Sequence, residues 1–181
     1  MRRLVAYEYV TLDGVVEAPE KWQFPYLTDD VAELIKTQIL EADAVLLGRA
    51  TYDIFAASWP SRTNNEFGVA DKLNSMPKYV VSRTLRKAEW HNSTVIKGDV
   101  AKEVAELKEQ PGGIIAIIGS ARLVGALMQH ALIDEYRLMI HPVILGGGQR
   151  LFPEGTHAPL SLIATSTFRS GVVLLRYQPA A

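Results

Sequence analysis

Residues 44–55 read AVLLGRATYDIF, from Ala44 to Phe55. Four apolar residues run into Gly48 and Arg49, and the pattern that follows is that of a helix start. Strand, glycine, cation, helix is the unit of a parallel sheet, because the helix must carry the chain back before the next strand can pair. The unit returns at 114–123, IIAIIGSARL, with a small hydroxyl residue after the glycine. A third candidate strand end, 80–84, reads VVSRT. These junctions set the fold class as α/β.

Outward from them, strands are expected at 4–10, 44–47, 78–82, 94–97, 114–118, 135–145, 160–167 and 172–178, rich in Val, Ile, Leu and Tyr and punctuated by Gly, Pro or Asn. Val31, Leu34, Ile35, Ile39 and Ala42 recur at helical spacing, as do Leu123, Val124, Leu127, Met128 and Ala131. Val100, Val104 and Leu107 mark a shorter helix that Pro111-Gly112-Gly113 ends. Strands and helices alternate over the first three quarters of the chain, whereas the last two strands follow each other directly. The expected architecture is a central, mostly parallel sheet of these eight strands, with an antiparallel edge and helices on both faces. No repeat, low-complexity tract or linker divides the chain, so residues 1–181 make a single domain.

Composition narrows the function. With 19 Lys and Arg against 20 Asp and Glu, the net charge is −1, which argues against nucleic acid or a polybasic membrane surface as partner. The absence of cysteine removes disulfides, thiolate catalysis and thiolate zinc sites together, and is compatible with a cytoplasmic location. The opening MRRLVAYEYV starts basic, but Glu8 interrupts its apolar run, so it reads as a first strand and not as a signal peptide. No apolar run approaches the roughly 18 residues that a membrane helix needs.

Ligands of open α/β sheets sit outside the carboxyl ends of the strands, where free backbone N–H groups and the positive ends of helix dipoles favour phosphate. The candidate binding residues are therefore Gly48, Arg49, Ala50 and Thr51 at the first junction, Gly119, Ser120, Ala121, Arg122 and Leu123 at the second, and Ser82 and Arg83 at the third. Each has a plainer reading: the glycine as a turn, Ser120 as a helix cap, the arginines as solvated charges. Three strand ends that each offer cation and hydroxyl favour a ligand with several phosphates, such as a dinucleotide. Neither glycine junction is a G-x-G-x-x-G fingerprint or a Walker loop. Gly146-Gly147-Gly148 reads equally as a turn, a bulge or a close approach to substrate.

The succession AVLLGRATY, PKYVVSRTL and IIAIIGSARLVGALMQHALIDEYRLMIHPVILGGGQRLF resembles the dihydrofolate reductase-like superfamily, in the branch of the C-terminal reductase domain of the bifunctional riboflavin-biosynthesis deaminase/reductase. The likeness runs from TLDG at 11–14 to the closing VVLLRYQ. It implies a three-layer fold, NADPH as cofactor, and a homodimer. It also implies that Gly48, Arg49 and Thr51 lie against the adenosine phosphates, that Ser82 and Arg83 bracket the 2′-phosphate, and that 119–123 turn N–H groups to the pyrophosphate.

The proton donor is harder to place. By the same resemblance Asp29 and Asp30, after Trp22-Gln23-Phe24-Pro25, stand at the helix start where dihydrofolate reductase has its carboxylate. Asp30 with Glu33 also reads as a capping box, and the spacing to LLGR is longer than in dihydrofolate reductase. Asp13 is the other candidate acid, with an Asp-Gly turn as its plainer reading. The fused deaminase's Cys/His cluster is missing, so no metal site is expected. Trp22, Phe24, Tyr52 and Trp59 are candidates for walling a flat substrate, although part of this aromatic set must be core. His141 reads as structural.

The expectation is an NADPH-dependent reductase of a small molecule, heteroaromatic or pyrimidine- or pterin-like. The alternatives are a dinucleotide-binding protein without turnover and a true dihydrofolate reductase. The apolar stretch 135–145 reads as a long exposed edge, to be covered by the chain's own last strands or by a second subunit.

Overall fold

The strand β1 (Arg3–Thr11) is buried along nearly its whole length, as a strand paired on both sides and covered on both faces must be. The computed structural model describes residues 1–180. After β1 come α1 (Asp29–Glu41), β2 (Ala42–Gly48), α2 (Arg49–Ser58), α3 (Ala70–Ser75), β3 (Lys78–Val81) and β4 (Ser93–Ile96). Then follow α4 (Val100–Glu109), β5 (Ile114–Ile118), α5 (Ala121–Gln129), β6 (Glu135–His141), β7 (Leu160–Thr167) and β8 (Val173–Pro179). Short 3₁₀ turns lie at Pro19–Lys21, Phe24–Tyr26 and Glu66–Gly68. The eight strands form one sheet in the order β4-β3-β2-β5-β1-β6-β8-β7, parallel through β6 and antiparallel at β8 and β7.

The alternation of side chains along the strands separates two cores. Leu4, Ala6 and Val10 of β1 join Leu46, Ile115 and Ile117 under α4 and α5, which contribute Val104, Leu107, Leu123, Val124 and Leu127. Val5 and Tyr7 point the other way, to a cluster with Val45, Leu47, Tyr52 of α2 and Leu73 of α3. Beside it α1 sends Val31 and Leu34 onto Met139 and Leu174. Helices α1, α2 and α3 therefore cover one face and α4 and α5 the other. Burying one of these large aliphatic side chains contributes about 1.5–3 kcal/mol, which is why patterning overrides the weak local propensities here.

The stretch expected to be an exposed edge is an interior strand. β6 stops at His141 because Pro142 has no N–H to donate, and it pairs with β1 on one side and β8 on the other. The chain's own hairpin supplies the cover, and the sheet edges are β4 and β7. α3 had no clear periodic signal. It is one and a half turns long and is held by Lys78, whose fully buried ammonium donates to the carbonyls of Leu73, Asn74 and Met76 and lies 4.3 Å from the Trp90 ring centroid.

The strand-start end of the sheet carries a saturated ion cluster. Glu135, fully buried, accepts from Arg3 at 2.6 Å, Arg137 at 2.8 Å and Arg176 at 2.7 Å, while Arg137 also reaches Glu41 at 2.9 Å. Burial alone would raise the Glu135 carboxyl, but its bonds to Arg176 and Arg137 outweigh that and hold it down to about 2.

Candidate active site

The opposite end of the sheet is built differently. β2 and β5 are neighbours, yet the helices that follow them go to opposite faces, α2 to one and α5 to the other. That is a topological switch point, where a crevice opens between two helix N-termini. One hydroxyl straps the two sides together: Gly48 N–H donates to Ser120 Oγ at 2.9 Å, and Ser120 Oγ donates to Thr51 Oγ1 at 3.0 Å. Ser120 thus does not cap its own helix; no capping bond from its side chain exists, and its φ of 65° follows a φ of 57° at Gly119.

Two successive left-handed residues turn backbone N–H groups outward as a small concave nest. Gly119 N–H is taken by the Tyr7 carbonyl at 3.2 Å and Leu123 N–H by the Ser120 carbonyl at 2.7 Å. The amides of Ser120, Ala121 and Arg122 remain, together with the first-turn amides Ala50 and Thr51 of α2, the Arg49 amide continuing the β2–β3 ladder. Gly48 is closely packed: a Cβ there would come to 3.3 Å from Cβ and Oγ of Ser120, so the strap would have to shift by a few tenths of an ångström to admit one. The two glycine junctions, joined by a bond that spans 72 residues of sequence, meet at one crevice of a kind that suits an anion.

The cations surround this crest. Arg49 is exposed and paired through Nε with Asp53 at 2.8 Å, which leaves its terminal amino groups for another acceptor. Arg122 and Arg83 are exposed. Ser82 is buried instead, and its Oγ accepts from Thr84 and Leu85 N–H at 3.3 and 3.0 Å. Its hydroxyl builds the turn that presents Arg83, which corrects the expectation that it brackets phosphate directly.

Two of the three candidate acids, Asp13 and Asp30, are tied up by hydrogen bonds. Asp13 accepts from the Thr11 hydroxyl at 2.6 Å and from Gly146 and Leu145 N–H at 2.8 and 3.3 Å, and the Thr11 bond above all holds its carboxyl down to about 2. Asp30 accepts from the Thr28 hydroxyl, Val31 N–H at 3.0 Å and Arg169 N–H at 3.1 Å; the Thr28 bond leads in lowering it. Both are ionised fasteners, Asp13 between the β1 loop and the 145–146 loop, Asp30 between α1 and the β7–β8 turn. The capping box does not form, because Glu33 faces Lys36. Asp29 lies on the rim of a shallow hollow of about 300 Å³ with Thr28, Asp30 and Arg169.

The aromatic candidates divide. Phe24 is 65% exposed beside the strand ends. Trp22 is buried, donates from Nε1 to the Glu17 carbonyl at 2.9 Å and stands edge-on to His141 at 5.0 Å between ring centroids. Tyr52 is core: its hydroxyl accepts Trp90 N–H at 3.1 Å. Trp59 caps the far end of α2 among Phe55, Phe67 and Arg62, a helix length from the crest. Neither of the last two faces the site. One group escaped notice in the sequence except as a break in an apolar run. Glu8 on β1 is 2% exposed, its Oε1 has no hydrogen-bond partner among the described residues, and burial pushes its carboxyl well above the usual range. A lone charge inside a strand buried on both faces was the available signal.

Fold and crest together define an α/β protein with a dihydrofolate reductase-like fold. The chain belongs to the RibD C-terminal domain family, whose model matches residues 2–174. It is 32% identical over 179 residues to the uncharacterized protein YyaP of Bacillus subtilis (strain 168), covering 97% of this chain and 94% of YyaP. Among solved structures, a putative riboflavin biosynthesis protein from Shewanella sp. PV-4 superposes with a TM-score of 0.75 at 18% identity, covering 99% of both chains. Dihydrofolate reductase from Enterococcus faecalis, complexed with NADP(H), superposes with a TM-score of 0.67 at 16% identity, covering 99% of this chain and 97% of that one.

The residues present fit a dinucleotide. The nest at 119–120, the glycine at 48 that a side chain would fill, and the unpaired amides of two helix starts suit a pyrophosphate, with Arg83 one strand further out for a ribose phosphate.

Proposed function

We propose that this protein is an NADPH-dependent reductase that transfers hydride to a small heteroaromatic, pyrimidine- or pterin-like substrate. The observation that carries the reading is the Ser120 strap, which brings two helix N-termini and the five amides that remain at them to one crevice, with Arg49, Arg83 and Arg122 at the same strand ends. When bound, the nicotinamide supplies the hydride, so the protein's part is to hold cofactor and acceptor together and keep water out. Asp13 and Asp30 hold the loops that frame the substrate side and stay ionised, which leaves proton delivery to Asp29, to water or to the substrate's own groups.

The family favours a reductase over a binding protein without turnover. We further assign the chain to the cytoplasm, on its lack of cysteine, and to a homodimer, whose contact would cover Leu162 (55% exposed) and Ile163 (42%) on the edge strand β7. Among the described residues no helix is long and apolar enough to cross a membrane.

Calorimetric titration with NADPH and NADH, followed by loss of NADPH absorbance against pterins, pyrimidine flavin precursors and small carbonyl compounds, tests the reading. Tight NADPH binding with consumption by one acceptor class is expected. Failure to bind either dinucleotide would overturn it.

A further inference from the structure

We propose that Glu8 contacts the cofactor, its carboxyl hydrogen-bonding the carboxamide of the bound nicotinamide. This rests on the dinucleotide reading above and assigns a side chain to the ring end of that ligand.

The direction of the ligand follows from the strand order. Arg83 stands at the end of β3, the anion crest over β2 and β5, and the next strand in the sheet is β1. A dinucleotide anchored by a ribose phosphate at β3 and by its pyrophosphate at the crest therefore runs on toward β1, about 5 Å further per strand. Gly119 N–H donates to the Tyr7 carbonyl, so the peptide joining Tyr7 to Glu8 lies against the first glycine of the nest. Tyr7 is in register with Ile118, which puts Glu8 level with Gly119 itself.

Side-chain alternation fixes which face Glu8 takes. Leu4, Ala6 and Val10 face α4 and α5, and Glu8 is in phase with them, on the face that α5 covers as it leaves the nest. Its strand neighbour across β6 is Leu138, which with Leu4, Ala6 and Val10 belongs to the apolar core on that face. Among the described residues, then, the Oε1 of a buried carboxyl has no partner, and a group of that kind lowers stability unless something completes it.

The chemistry of the missing partner is narrow. Burial favours the neutral carboxyl, and in that form it offers one O–H and one carbonyl oxygen side by side. A carboxamide offers the matching oxygen and N–H pair, whereas a phosphate offers only acceptors. The ring end of the ligand is therefore the end that Glu8 suits, and the adenosine end is served by the crest.

The test compares NADPH with adenosine 2′,5′-bisphosphate, which keeps the adenosine phosphates and lacks the nicotinamide. Glu8→Leu, with Glu8→Met as a second apolar replacement, should raise the melting temperature, because an unpartnered buried polar atom is removed. It should weaken NADPH by about 10-fold, the value of one lost hydrogen bond, and leave the bisphosphate within about twofold. Glu8→Gln, which keeps a donor and an acceptor, should hold both ligands within about threefold of the parent. Equal affinity for NADPH in the parent and the apolar variants, equal losses for both ligands, or a lowered melting temperature in both apolar variants would each overturn the assignment of Glu8 alone. A parent chain that binds neither ligand would overturn the dinucleotide reading along with it.

Discussion

At the strand-start end of the sheet, Arg3, Arg137 and Arg176 converge on Glu135; at the strand-end crest, Arg49, Arg83 and Arg122 surround a nest of amides that contains no carboxylate. The first group is closed, since the buried carboxylate saturates it and Glu41 takes up a further bond from Arg137. The second is open: among the described residues Arg49 alone of the three has a carboxylate, Asp53, and that pair lies at the surface, where such pairs contribute about 0–1 kcal/mol and yield readily to a better acceptor. The same residue type serves architecture where its charge is matched inside the protein, and ligand capture where it is not.

The contrast breaks most severely at the closed end. Glu135→Gln leaves three guanidinium groups around a neutral amide, and removing one partner of a buried ion cluster costs about 3–5 kcal/mol. Denaturant unfolding should show that loss, while the folded variant still binds dinucleotide; an unchanged midpoint would mean that the cluster is not structural. At the open end, Gly119→Val forces a β-branched residue to a φ of 57° and sets its methyls toward Thr51 and the amides of the nest. NADPH affinity should fall at least ~100-fold, equivalent to about 2.7 kcal/mol, with the fold retained; normal binding would make this junction a mere turn.

Arg83→Ala sharpens the comparison further. It should weaken NADPH by about 10-fold and leave NADH nearly unchanged, since a charge-assisted bond to the 2′-phosphate contributes about 1.5–3 kcal/mol before solvent exposure reduces it. Matching losses for the two cofactors would move that arginine elsewhere. The smallest effect is in acid. Glu135 is depressed to about 2 from an ordinary 4.5, so in that window the unfolded chain binds more protons and stability falls as pH falls. Relative to neutral pH, the loss at pH 4 should be about 1 kcal/mol, and it should vanish in Glu135→Gln.

The crest was legible in the sequence and the closed cluster was not, for a physical reason. Gly48-Arg49 and Gly119-Ser120 advertise themselves locally, because a strand that ends in glycine before a helix needs only its own neighbours to be read. Glu135 lies 132 residues from Arg3 and 41 from Arg176, and only the pairing of β6 with β1 and β8 brings them together. The same distance hid the function of Asp13 and Asp30, whose partners come from 145–146 and 169. Strand positions held within a few residues, except that Pro142 ends β6 at His141, and pairing with both β1 and β8 makes the supposed edge an interior strand. Tyr52 and Trp59 failed as substrate walls because a helix that leaves the strand ends carries its later residues away from them. Ser120 was legible as a hydroxyl in the right place, but its bond to Gly48 needed the adjacency of β2 and β5.

The fastening at Asp13 has a consequence for motion. Leu12 N–H bonds Val143, Val16 N–H bonds Gln149, Leu151 N–H bonds Gly14, and Arg150 reaches the Asp13 carbonyl. Two loops separated by more than a hundred residues are thereby zipped into a single flap, with the Asp13 carboxylate as its clasp. Such a flap should open as a unit, so the amide protons of Leu12, Val16, Gly146 and Leu151 should report one shared free energy of opening in hydrogen exchange.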